Sequence, residues 1–133
     1  MKIKVITPDR YVWDREFDEV ILPSSTGQLG ILPNHAPLLT ALDIGVMRAR
    51  TAQGWVALVL FGGFAEVLNN QITILVNGAQ EVHEIHLQQA QEEELKALQQ
   101  LEQAQTPTAQ IEAKQNLAKW RARVQAANYA NSN

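Results

Sequence analysis

The sequence predicts an α+β protein. An N-terminal antiparallel β-sandwich or flattened barrel occupies residues 1–82, and a C-terminal antiparallel hairpin of two helices follows over residues 83–133. Two observations carry this. Up to about residue 80 the apolar residues alternate with polar ones and are β-branched or aromatic, between turns rich in Gly, Pro and Asn. After Gly78 glycine disappears, Pro107 is the single proline, and Ala, Gln, Glu, Leu and Lys dominate. Many short strands with no helix between them favour an antiparallel sandwich over a parallel, helix-covered sheet.

The period-two pattern places strands at 3–7, 11–15, 17–23, 27–32, 36–42, 45–51, 55–61, 62–68 and 71–76. Ala52-Gln53-Gly54 and Asn69-Asn70 have hairpin-turn chemistry, because Gly and Asn tolerate positive φ. In the tail, Leu87, Ala90, Ala97, Leu98 and Leu101 share one stripe of a first helix, although Glu94 intrudes on it. Ala113, Leu117, Trp120, Val124 and Ala127 share a stripe of the second. Thr106-Pro107 is a helix start, with the hydroxyl capping free amides and proline tolerated at the first helical position. A connection this short folds the helices back on each other. Narrow, Ala-rich stripes bury little area, so the tail needs the sandwich or a partner to stay ordered and is a plausible two-state element.

Composition narrows the function classes. The chain of 133 residues has no cysteine, which excludes disulfides and thiolate metal sites and suits a reducing compartment. Its longest apolar run, 55–65, is short of the roughly 20 residues needed to span a bilayer. The N-terminus alternates like a strand and lacks the features of a signal peptide, so the protein is expected to stay where it is made. A net charge of −3 argues against nucleic-acid binding. The charges are segregated: residues 81–112 hold Lys96 against seven glutamates, while residues 113–133 hold Lys114, Lys119, Arg121 and Arg123 and no acid.

Candidate chemistry is sparse. His83 and His86, with Glu81 and Glu84 beside them, have a spacing that could hold a metal on a helix, but exposed linker residues explain them better. Ser24, Ser25 and Thr26 have no general base nearby and read as a turn. Gly62-Gly63 lacks the Lys-Ser or Lys-Thr of a phosphate loop and reads as a bulge or a close backbone approach. Trp13 and Trp55 read as sandwich residues and Trp120 as hairpin core. No catalytic residue, cofactor or metal is expected.

The segment Gly27-Gln28-Leu29-Gly30-Ile31-Leu32-Pro33-Asn34-His35-Ala36-Pro37-Leu38-Leu39 is apolar, turn-rich and stiffened by proline, which suits a docking surface. It resembles the rotor-contact loop of the epsilon subunit of rotary ATP synthases, whose members carry a Gly-x-Leu-Gly-Ile-x-Pro-x-His-Ala-Pro-Leu-Leu string. The likeness continues through Leu42-Asp43-Ile44-Gly45-Val46-Met47, Phe61-Gly62-Gly63-Phe64-Ala65-Glu66-Val67 and Gln71-Ile72-Thr73-Ile74-Leu75. Lys119-Trp120-Arg121-Ala122-Arg123-Val124-Gln125-Ala126 is most similar to the cyanobacterial and chloroplast branch.

The resemblance implies a non-catalytic central-stalk subunit, coupling a proton-driven membrane ring to the catalytic head and braking ATP hydrolysis with its C-terminal helices. Its implied partners are the gamma (shaft) subunit, the c-ring and, transiently, the catalytic alpha and beta subunits, with the membrane met only indirectly. It implies ring contact at Gln28, Leu29, Gly30, Pro33, Asn34 and His35 and inhibition through Lys114, Lys119, Arg121 and Arg123. The hairpin would pack through Leu87, Leu98, Leu101, Leu117, Trp120 and Val124. Gln28 stands where relatives often have an acid. The implied location is peripheral, on the cytoplasmic or stromal side of a membrane, the thylakoid for this branch. Bacterial relatives bind ATP through Ile-Asp-x-x-Arg-Ala. Here that stretch is Ile85-His86-Leu87-Gln88-Gln89-Ala90, without the carboxylate or the guanidinium, so no tight ATP site is expected. The residues alone leave two rivals open, a β-sandwich adaptor whose basic helix recruits an acidic protein, and a metalloenzyme centred on His83 and His86.

Overall fold

The computed structural model describes residues 1–131, with side chains through Tyr129. Eight strands precede the tail: β1 (Lys2–Thr7), β2 (Arg10–Glu16), β3 (Glu19–Ser24), β4 (Gly27–Ile31), β5 (Leu38–Thr51), β6 (Gly54–Leu68), β7 (Gln71–Val76) and β8 (Ala79–Glu81). A single 3-10 turn, Val82–Glu84, leads to α1 (Leu87–Gln103) and α2 (Pro107–Asn131). The strands run in the order β2-β1-β7-β6-β5-β3-β4, with β8 alongside β6. All these pairs are antiparallel except β1 with β7, which is parallel in register Ile3↔Ile72 and Val5↔Ile74.

The long strands β5 and β6 each cover two of the segments expected from the sequence. The strands run on through Asp43-Ile44-Gly45 and Gly62-Gly63, with Leu42↔Gly63 and Ile44↔Phe61 in one register on either side of Asp43 and Gly62. Gly62 (φ 83) and Gly63 (φ 154) let β6 bend where it passes from pairing with β8 to pairing with β7. A Cβ on Gly63 would lie 2.1 Å from the Leu75 carbonyl oxygen, a distance no side chain can occupy. Bending without a break keeps the backbone hydrogen bonds on both sides of the corner.

Alternate residues of the strands meet inside. Ile3, Val5, Val20, Leu22, Ile31, Met47, Leu58, Leu60, Ile72 and Ile74 are fully buried, with Phe17 and Trp13 stacked at 5.1 Å between centroids. Asn69 (φ 52) and Asn70 (φ 60) form the two-residue turn between Leu68 and Gln71, both in the left-handed region that such a turn requires. In the tail the Thr106 hydroxyl accepts the Ala109 amide at 3.1 Å, which caps α2.

The second helix is buried on two sides. It lies against α1 along one side and against β5 and β6 along another. Ala122 and Ala126 form a small cluster with Val59, bordered by Ile44, Val46 and Phe61, separate from the main sandwich core. These two alanines lie off the expected stripe. The reason is the second neighbour: a helix sandwiched between α1 and a sheet buries more of its circumference than one facing a single partner.

Candidate functional site

The 27–39 segment is built as a strand that gives way to a tied loop. In β4, Ile31 is buried opposite Val20, and Leu29 is half-buried opposite Leu22. Alternation turns Gln28 and Gly30 outward, and both are exposed. Gly30 does not have positive φ, and a Cβ there would meet nothing within 4 Å, so the chain's own fold does not require glycine at this position. At the preceding turn, buried Ser24 shares hydrogen bonds with Thr26 and Thr40, each at 3.1 Å, and the Ser25 amide donates to the Ala41 carbonyl at 3.1 Å.

Beyond β4, Pro33 and Asn34 are exposed and His35 is half-buried. Asn34 adopts φ 65, and its amide donates to Asn70 Oδ1 at 2.8 Å, fastening this loop to the β6–β7 turn. The His35 amide donates to the Leu32 carbonyl at 3.2 Å, and its Nδ1 lies 2.8 Å from the Ala36 carbonyl, which sets Nδ1 as the protonated nitrogen. The loop is held by hydrogen bonds from its own residues and by its prolines, while its apolar side chains remain outside: Leu32 is 55% and Leu39 70% exposed.

The adjoining outer face of the sheet is also apolar. Phe64 sits opposite Leu75 on β7 and Ala41 on β5, and Phe64, Leu75 and Leu68 are 58%, 53% and 45% exposed. Leu39 pairs across from Glu66 on the same face, and Ile6 lies beside Leu75. Several large apolar side chains are thus exposed on one face of the sheet, interrupted by the charge of Glu66.

The basic residues of α2 divide between its two flanks. The Arg123 guanidinium lies 5.0 Å from the Phe61 ring centroid and 4.2 Å from that of Trp120, and its Nε donates to Gln80 Oε1 at 2.7 Å. Burial lowers its pKa from the ordinary arginine value. Lys119 Nζ lies 5.9 Å from the same Phe61 ring, so both cations are turned toward the sandwich. Lys114 and Arg121 are exposed and border a groove on the other flank with Leu101 and Leu117. Among the described residues no ion pair joins these four cations to glutamates of α1; Lys96 with Glu93 at 3.5 Å is an ion pair within α1. Leu117 is buried, while Leu87, Leu98, Leu101, Trp120 and Val124 are half-buried. Trp120 serves as one face of the Arg123 slot.

At the connector, ligand atoms of Glu81, His83 and Glu84 come within 4.8 Å of one another, without His86. Glu81 Oε1 already accepts the Trp13 indole N–H at 3.0 Å, and His83 and Glu84 are exposed. Sequence reasoning missed Gln80, Phe61, Ala122 and Ala126. Only the four-residue spacing of the two alanines offered a signal, because Gln80 and Phe61 lie far away along the chain.

A β-sandwich followed by a helical hairpin, with an apolar tied loop at one end, defines the class. The family model for the ATP synthase delta/epsilon chain β-sandwich domain matches residues 1–82. The ATP synthase epsilon chain of Cyanidioschyzon merolae chloroplasts is 84% identical over 129 residues, covering 97% of this chain and 98% of that one. The chloroplast epsilon chain of Porphyra purpurea is 58% identical, covering 99% and 98%, and the epsilon chain of Thermosynechococcus vestitus is 56% identical, covering 96% and 94%. A chain in the Euglena gracilis mitochondrial ATP synthase OSCP/F1/c-ring structure has the same fold, with a TM-score of 0.80 and 18% identity over 98% of this chain and 80% of that one. The protein therefore belongs to the ATP synthase epsilon chain family, non-catalytic stalk subunits of the ATP synthase complex. Among the described residues no helix is long and apolar enough to cross a membrane.

Proposed function

We propose that this chain couples a proton-driven membrane ring to the catalytic head of a thylakoid ATP synthase, and that its tail restrains ATP hydrolysis. Residues 1–82 form the coupling domain and residues 83–133 the regulatory one. Gln28, Leu29, Gly30, Pro33, Asn34 and His35 meet the c-ring, and the apolar sheet face around Phe64 and Leu75 meets the gamma shaft. The exposure of large apolar side chains on a hydrogen-bonded backbone supports this, since transmitting torque needs a contact that does not yield. The bare space over Gly30 suits a partner's backbone at close range. Gln28 contributes an amide hydrogen bond where relatives often have a carboxylate.

In this structure α2 packs against the sandwich, and we read that docked arrangement as the permissive one. The observation that carries the regulatory reading is the seat of Arg123: a cation that would be needed to grip an acidic segment of the alpha or beta subunits is held instead by Gln80, Phe61 and Trp120. Release of α2 frees Lys119 and Arg123 together, and with Lys114 and Arg121 they form the inhibitory face. The docking contact is small, because alanines contribute little area, so it can exchange with an outside partner. The tagged chain, incubated with chloroplast or cyanobacterial membrane extract, should retain shaft and ring subunits together. Capture of a soluble partner independent of the ring would support the adaptor reading instead.

A further inference from the structure

A half-open cleft of about 600 Å³ lies between the sandwich, the connector and the end of α2, on a side of the molecule that neither the rotor-contact loop nor the Arg123 seat uses. Its lining includes Trp13, Arg15, Arg48, Trp55, Glu81 and Tyr129. The Arg48 guanidinium lies 4.7 Å from the Tyr129 ring centroid and 5.5 Å from that of Trp55. Arg15 lies 5.5 Å from the Trp13 centroid and 5.1 Å from that of Phe17. Stacking engages the faces of a guanidinium and leaves its N–H donors, which lie in the plane, unspent. Among the described residues neither Arg15 nor Arg48 has a carboxylate partner or a hydrogen-bond acceptor. Glu81, the acid of the cleft, accepts the Trp13 indole N–H at 3.0 Å and lies 3.8 Å from Nδ1 of His83, which also lines the cleft.

The cleft therefore offers aromatic-backed cationic donors beside apolar walls, and among its Arg, Lys, Asp and Glu side chains the two arginines outnumber the one acid by a single charge. That balance suits one negative charge and disfavours a polyphosphate, whose several charges would go uncompensated. We propose that this cleft binds a flat organic monoanion, an aromatic or heteroaromatic carboxylate, with its ring against the Trp55 side and its carboxylate on the guanidinium edges. Bidentate capture of a carboxylate is what the planar donor fork of arginine favours. A volume near 600 Å³ lies within the range of small-molecule sites.

The three tryptophans make the test direct. In an indole N–H spectrum of the 15N-labelled full-length chain, 2-naphthoate should shift the Trp13 and Trp55 signals and leave Trp120, which stacks on Arg123 away from the cleft. The neutral analogue 2-naphthalenemethanol and inorganic phosphate, each lacking one half of the recognition, should bind about tenfold more weakly or not at all. Arg48→Gln should weaken naphthoate about tenfold, and Arg15→Gln, at an exposed position, should also weaken it. The proposal is overturned if naphthoate moves none of these signals, if it moves Trp120 equally, if the alcohol or phosphate binds as well, or if both substitutions leave its affinity unchanged.

Discussion

Single residues set the limits of the fold and of its contact surface, and two glycines do so in opposite ways. Gly63 is required internally, since any side chain there would collide with the Leu75 carbonyl and the Val76 Cα. Gly63→Ala should cost about 3 kcal/mol in urea unfolding, the scale of a strained backbone position with a steric clash. A loss below about 1 kcal/mol would mean that the corner rearranges easily. Gly30 has open space above it, so Gly30→Ala should leave the unfolding midpoint unchanged and yet weaken retention of the ring by the chain. Unimpaired ring retention would remove Gly30 from the contact. Both glycines stood out in the sequence, and the bend at Gly62-Gly63 was legible as a close approach. The difference between an internal and an external role was not legible, because it depends on which atoms lie over the Cα.

At the scale of elements, the tail is a helix pair whose second member is shared between its partner helix and the sheet. The hairpin itself was legible from Thr106-Pro107 and the change of composition, and the cap forms as that dipeptide implies. Thr106→Ala should therefore destabilise the docked tail by about 1 kcal/mol, measured as faster amide exchange in the first turns of α2. The docking face was harder to read, since Ala122 and Ala126 add little to an apolar stripe and Gln80 lies 43 residues from Arg123. β8 escaped notice because Ala79-Gln80-Glu81 contains no β-branched residue. Gln80→Ala removes a docking partner while sparing every proposed inhibitory cation. It should loosen α2 by about 1.5 kcal/mol, the lower end of the range for a hydrogen bond to a charged group, and so raise inhibition of hydrolysis. Weaker inhibition would contradict the reading of the docked tail as the permissive state.

Across the whole molecule, one hydrophobic cluster fills the sandwich and a second lies where α2 meets its outer face. The sandwich core runs from Ile3 to Val76 without any residue of α1 or α2, and Ala122 and Ala126 join a second cluster on the outside of the sheet. Removing the tail uncovers Val59 and its neighbours but leaves the main core intact. The overall architecture was legible because period-two and period-3.6 patterns occupy separate halves of the chain, whereas the aromatic cleft at their junction combines residues from both ends of the sequence. Replacing Lys119, Arg121 and Arg123 with Ala should weaken inhibition most at low ionic strength, where charge pairing with an acidic partner is least screened. The decisive measurement compares ATP hydrolysis by a shaft-containing catalytic core reconstituted with the full chain and with a chain ending at residue 105. The account predicts that the shortened chain still binds shaft and ring while hydrolysis rises; equal rates with the two chains would contradict it.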